Sequence, residues 1–181
     1  MPTRDDYLAV PLADRLARLV RMPDDLAAAI AGRSDAELSR RPPDGWSAKE
    51  VVCHLRDIEE LVILRYHSML VMDDPKLFSV GGVPTDPEAW GIKGDVPFPL
   101  PPERWAEERQ YQRNDTHEAL TAFRRRRREV LALLNNLSEE QWQRGGIQAE
   151  HGRWTIDQWA AASAGHDDNH LEQVRRALEH V

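Results

Sequence analysis

From Ser47 to Val71 the chain runs without a glycine or a proline. The run opens on Ser47-Ala-Lys-Glu50, a capping box in which the serine hydroxyl and the glutamate carboxylate satisfy backbone N–H groups left free in the first helical turn. A long helix to about Val71 is therefore predicted, ended by Asp73-Asp-Pro75. The same signal returns at Thr155-Ile-Asp-Gln158 and predicts a last helix running nearly to the C-terminus. Two further helices are read from periodicity. Leu12, Leu16, Leu19, Leu26 and Ile30 recur at helical spacing over residues 11 to 32, with a kink or break expected near Pro23. Asn114 or Asp115 can cap a helix to about Asn136, with Leu120, Phe123, Val130, Leu134 and Leu137 facing inward. No alternating strand pattern competes.

A weak internal repeat ties these pieces together. Ser34-Asp-Ala-Glu-Leu38 precedes Trp46-Ser47, and Ser138-Glu-Glu-Gln-Trp142 precedes Trp154-Thr155. Each half reads as helix, short turn, tryptophan, capped helix, which suggests two similar hairpins. Between them, residues 73 to 102 hold most of the prolines and four of the ten glycines. That composition excludes regular structure for most of the stretch and predicts a long crossover loop, either a lid or a solvated connector. A short helix can begin at Pro102-Glu-Arg-Trp105. The expected fold is all-α, a single domain over residues 1–181 forming an antiparallel four-helix bundle with a long crossover loop.

Three histidines fall on the inward stripes of the two capped helices. Residues at i+3, i+4 and i+7 share a helical face. The last helix should therefore bury Ile156, Trp159, Ser163, His166, His170, Val174 and Ala177, leaving Asp168 and Glu172 on the wet side. His54 sits among Val51, Leu55, Ile58, Leu61 and Val62. One histidine on such a stripe is most often a hydrogen-bonded core residue. Two at i and i+4 can aim their rings at one point, and leaving both buried without partners would be costly. His54, His166 and His170 are thus the candidate ligands of one divalent metal ion. Cys53, the only cysteine, points elsewhere on its helix, so such an ion must rely on nitrogen and oxygen donors. Imidazoles suit Zn, Ni, Fe and Cu alike. Three protein ligands leave positions open, as catalytic sites do more often than structural ones.

The runs Gly45-Trp-Ser-Ala-Lys-Glu-Val-Val-Cys-His-Leu-Arg-Asp57, Trp154-Thr155 and His166-Asp-Asp-Asn-His170 resemble the DinB-like superfamily, including its YfiT-like members, over almost the whole chain. The resemblance implies a four-helix bundle with an unusual crossover, frequent homodimers, and a metal held at the positions of His54, His166 and His170. It also implies a thiol S-transferase using a low-molecular-weight thiol cosubstrate, or a metal-dependent hydrolase. Where many relatives have a further histidine before the last ligand, this chain has Asn169.

Other features bound the function. A net charge of -7 from interspersed charges gives no overall attraction for nucleic acid or anionic membrane. The N-terminus does not read as a signal peptide, and no apolar run approaches the roughly eighteen residues of a membrane span, so a cytoplasmic location is expected. The five arginines Arg124 to Arg128 wrap more than a turn, and most should be solvated. Arg127 lies on the core stripe and should pair with a buried carboxylate or a substrate anion. Asp57 and Asp167 either orient an imidazole or take a proton from metal-bound water, or are surface carboxylates. Trp46, Trp154 and Trp159 read as core aromatics at helix starts, with substrate platforms as the alternative. The expected function is activation of a thiol or water toward a small-molecule substrate. The alternative is a non-catalytic metal-binding bundle acting as a sensor or interaction module.

Overall fold

The computed structural model describes residues 3–77, 88, 102–149 and 151–179. Most of the predicted crossover loop lies outside these residues. Both capping boxes form as read. Ser47 caps α4 (Ala48–Val71), and Thr155 and Gln158 bond reciprocally at the start of α8 (Ile156–Glu179). A short α1 (Arg4–Leu8) precedes α2 (Leu12–Ile30). Pro23 does not break α2, which is continuous through it. The two halves of the repeat carry short capped helices at matching places, α3 (Asp35–Ser39) and, further along, α7 (Glu139–Trp142). Between these lie α5 (Pro102–Glu108), a 3-10 turn at Tyr111–Arg113, and α6 (Thr116–Leu134), capped by Asp115 rather than Asn114. The Asn114 amide instead donates to the Arg109 and Gln110 carbonyls.

Which ends of the long helices share a core fixes their directions. One cluster joins Met22 and Leu26 of α2, Val51 and Leu55 of α4, Leu120 and Phe123 of α6, and Leu171 and Val174 of α8. The other joins Leu19, then Val62 and Met69, then Val130 and Leu134, then Ile156 and Trp159. The late parts of α2 and α8 therefore meet the early parts of α4 and α6. Antiparallel packing holds between α2 and α6 and between α4 and α8, while α2 with α8 and α4 with α6 are neighbours running the same way. The long helices within each half, α2 with α4 and α6 with α8, accordingly lie across a diagonal of the bundle instead of closing as hairpins.

The structure adds a strand pair, as well as α1, that periodicity does not indicate. β1 (Gly145–Gln148) pairs antiparallel with β2 (Gly152–Thr155), with Gly146 opposite Trp154. Ile147 also exchanges backbone hydrogen bonds with the chain after α4, its N–H to the Pro75 carbonyl (2.8 Å) and its carbonyl from the Leu77 N–H (2.8 Å). Leu77 packs over Gly146, where any Cβ would lie 2.5 Å from the leucine side chain. Strands of four residues, two glycines in β1 and one in β2, carry too little side-chain alternation to be recognised from sequence. No described helix is long and apolar enough to cross a membrane.

Candidate metal centre

Because α4 and α8 run antiparallel, His54 in the first part of α4 faces His166 and His170 in the later part of α8. Each of the three offers a ligand atom, and these atoms lie within 4.8 Å of one another. The ring centroids are 4.3 Å apart for His166 and His170, 4.8 Å for His54 and His170, and 5.5 Å for His54 and His166. His54 is buried; the other two are half-buried.

The His166 and His170 Nε2 atoms face each other at 3.1 Å. Nitrogens that share one ion at about 2.0–2.1 Å lie about 3 Å apart, so this pair already has the spacing of two ligands. The widest separation therefore belongs to His54. Its Nδ1 is buried without a hydrogen-bond partner, an arrangement that is costly unless something else satisfies the lone pair. The Gln173 carbonyl oxygen lies 2.8 Å from His170 Nδ1. It accepts the ring proton there and leaves Nε2 bare toward the centre, which is the role of an outer partner that fixes a ligand's tautomer.

Electrostatics favour the neutral, ligand-competent form. Burial pushes the His54 pKa down to about 3, with His170 adding to the shift and Asp57 opposing it. Burial also holds His166 well below its ordinary value, reinforced by the other two histidines. His170 is lowered by burial despite the opposing pull of Gln173 and Asp167. Three uncharged imidazoles, one with an unsatisfied buried nitrogen and two whose Nε2 atoms face each other, fit a divalent cation.

One face of the site is open. A cleft of about 560 Å³ reaches His170 between the Pro42-Pro43 segment and the last part of α8, with Trp46, Asn169 and Gln173 in its walls. Trp46 stands edge-on to His54 at 5.0 Å. It is therefore both a packed aromatic and a wall of the cleft, a role the core reading did not include. Pro42 and Pro43 line the same space. Gln173 joins the site as well, and its place one turn after His170 is the sequence signal that marks it.

The two carboxylates beside the ligands take neither expected role, being buried but not bonded to imidazole. Asp57 accepts from Arg56 (2.8 Å), from the Tyr111 hydroxyl (2.8 Å) and, at 3.1 Å, from Arg109. Asp167 pairs with Arg127 (2.6 Å), which is also bonded to Glu59. Arg127 thus pairs with buried carboxylates, as one of the two sequence readings had it. Of its neighbours, Arg124 reaches Asp24 and the Pro23 carbonyl, and Arg126 reaches Glu60 and the Arg56 carbonyl; Arg125 and Arg128 are exposed. Asp168 is not on the wet side as expected: it is held between Tyr7 of α1 and Arg18 of α2. Cys53 is buried against the Tyr111 carbonyl and takes no part in the site. His67, His117 and His151 are exposed, and His180 lies outside the described residues.

Residues 18–174 match the DinB superfamily, a span that includes all three histidines. The chain belongs to that superfamily. Solved structures share the fold of this DinB-superfamily chain. YfiT from Bacillus subtilis, described as "a probable metal-dependent hydrolase with an unusual four-helix bundle topology", aligns at a TM-score of 0.73 and 18% identity, over 99% of this chain and 90% of that one. A mycothiol-dependent maleylpyruvate isomerase aligns at 0.62 and 13% identity, over 98% of this chain and 63% of the isomerase. A protein from Streptococcus pneumoniae aligns at 0.52 and 11% identity, over 98% of this chain and 93% of the other. At these identities the likeness establishes the fold. No curated protein sequence matches the chain.

Proposed function

We propose that this DinB-superfamily protein is a metal-dependent enzyme in which His54, His166 and His170 hold one divalent ion, Zn, Ni or Fe. Its substrate is a small molecule that enters by the cleft at His170. The observation that carries this reading is the convergence of three neutral imidazoles, one of which, His170, lines an open cleft. A sealed cluster would have favoured the non-catalytic alternative. When bound, the ion supplies Lewis acidity, which lowers the pKa of a thiol or water and polarises an electrophile. The chain's own residues do the rest. Gln173 keeps His170 in its ligating tautomer, Trp46 and the proline pair screen the floor from bulk water, and Asn169 offers an amide to substrate. Thiol transfer with a low-molecular-weight thiol and hydrolysis are the two reactions this arrangement supports, in keeping with the descriptions of the isomerase and of YfiT. A cytoplasmic homodimer completes the proposal, checked by light scattering at micromolar concentration.

Metal analysis of purified protein tests the site. About one divalent ion per chain is expected, and none in the His166→Ala/His170→Ala double variant. Metal-loaded protein is then screened with glutathione, mycothiol and bacillithiol against small electrophiles, and separately with esters and amides. Turnover should disappear in His54→Ala. Unchanged metal content in the double variant would remove the reading.

A further inference from the structure

We infer that Arg127 is a positioning residue for the histidine pair of α8: it sets the rotation and height of the helix that presents His166 and His170 by bonding one guanidinium to the three other long helices at once. The inference rests on the proposed metal site.

The geometry is complete on every side of the group. Arg127 projects from α6 and is 3% exposed, which places all its donors away from water. Two donors go to Glu59 of α4, at 3.0 and 2.8 Å. Two go to Asp167 of α8, at 2.6 and 3.1 Å. The Nη1 donor also reaches the Leu19 carbonyl of α2, at 3.0 Å. That carbonyl is available because residue 23, four positions on, is a proline without the N–H that would have bonded it. The proline expected to break α2 instead frees the acceptor that ties α2 to α6.

A buried cation with two carboxylates is not there for stability alone. Such clusters roughly break even against well-packed apolar residues, and their better-attested use is to fix one arrangement among several. What this cluster fixes is set by where it attaches. Asp167 directly follows His166, and Glu59 lies little more than a turn after His54 on α4. Apolar ridges can slide or rotate by small amounts at little cost, whereas a planar fork bonded bidentately to two carboxylates cannot. On the adjacent side of α8, Arg18 and Tyr7 hold Asp168, so the two residues that follow His166 are both anchored. The facing Nε2 atoms inherit their spacing from a helix clamped between its ligands.

The test separates positioning from general destabilisation. Metal-free full-length protein is titrated with Co(II) against a chromophoric chelator, and the visible spectrum of the complex is recorded. Wild type is compared with Arg127→Lys, which keeps the charge but loses the fork, and with Leu134→Ala, a deletion in the core cluster at the other end of the bundle. Arg127→Lys should bind Co(II) about 10- to 100-fold more weakly with an altered spectrum. Leu134→Ala should lower the melting temperature while keeping the affinity within about threefold and the spectrum unchanged. Wild-type affinity and spectrum in Arg127→Lys, or an equal loss in Leu134→Ala, overturns the inference while leaving the metal site standing. Should Arg127→Lys fail to fold, Glu59→Gln serves in its place; it keeps the Arg127–Asp167 pair, so weakened binding supports the clamp and wild-type binding overturns it. If wild type itself takes up no Co(II), the proposed function fails and this inference fails with it.

Discussion

The two ends of the bundle are built from the same repeated motif and finished in opposite ways. At one end Trp46 leads into the Ser47 box and α4, and at the other Trp154 leads into the Thr155 box and α8. Because α4 and α8 are antiparallel, these starts lie far apart. At the first, only the Pro42-Pro43 segment separates the short α3 from Trp46, and the space left beside it is the cleft at His170. At the second, β1 and β2 fill the equivalent stretch, Trp154 packs against His151, Trp159 and Arg4, and Arg144 donates to the Met69 and Met72 carbonyls at the end of α4. One tryptophan borders a site and its counterpart helps to seal the fold. A repeat fixes where helices start; the connection that precedes each start decides whether that end is open or closed.

If that contrast holds, acid should act through the open end. In the metal-free protein His54 titrates at about 3 when folded, against an ordinary value of 6.5, because burial disfavours its charged form. Between those values the unfolded chain holds a proton that the folded chain does not. The stabilisation is therefore present above about 6.5 and is lost progressively as pH falls toward 3. Each such group steepens the fall by up to about 1.4 kcal/mol per pH unit. His166 and His170 shift in the same direction. Burial pushes Asp57 up, but hydrogen bonds from Arg56 and Tyr111 outweigh it and hold it below 3.8, so its contribution is kept until lower pH. Guanidinium unfolding in chelator from pH 7 to 4 should show a several-kcal/mol loss in wild type and a visibly shallower slope in His54→Leu. Parallel curves would show that burial of the histidines is not what makes the protein acid-sensitive.

The closed end offers the converse. An alanine Cβ at Gly146 would stand 2.5 Å from Leu77 and 2.9 Å from the Pro75 carbonyl, and the second of these is backbone that cannot swing aside. Gly146→Ala should cost roughly 1–3 kcal/mol in unfolding experiments, while metal content and any turnover stay at wild-type levels. Loss of metal in this variant would mean that the two ends are coupled and the contrast is wrong.

What was legible in the sequence follows from how local the cause is. The starts of α4 and α8 are set by side chains three residues apart, and both were read to the residue. The inward stripe of α8 was legible because burial there repeats with the helical period, and that alone brought His166 and His170 to one face. His54 faces them because α4 and α8 pack antiparallel, a direction that no residue of either helix encodes by itself. The same limit hid the diagonal arrangement within each half, the hydrogen bonds of Asp57 and Asp167, and the place of Asp168 between α1 and α2. In each case at least one partner is distant in sequence: Tyr111 for Asp57, Arg127 for Asp167, Arg18 for Asp168. Pro23 shows the limit from the other side. The break expected there does not occur, and the Leu19 carbonyl that its missing N–H leaves free is satisfied by a donor from α6.

The smallest expected difference lies in the two capping boxes, and it tests the contrast most finely because their chemistry is nearly identical. Ser47 is fully buried. Its hydroxyl accepts from the Glu50 N–H (3.3 Å) and from the Gln112 side chain (2.9 Å), and Glu50, itself buried, also bonds Arg41. Thr155 is partly exposed and, among the described residues, accepts only from the Gln158 N–H (3.2 Å), so water can replace what its removal frees. Loss of an N-cap hydroxyl costs about 0.5–2 kcal/mol. Ser47→Ala should fall near the top of that range, since it strands Gln112 and weakens the first turn of the helix that carries His54. Thr155→Ala should fall near the bottom. Unfolding in chelator measures the two costs, and a Co(II) titration of the same pair asks whether only the first weakens metal affinity. Equal losses in both measurements would show that the two ends are energetically alike, and that the cleft owes nothing to the way its helix begins.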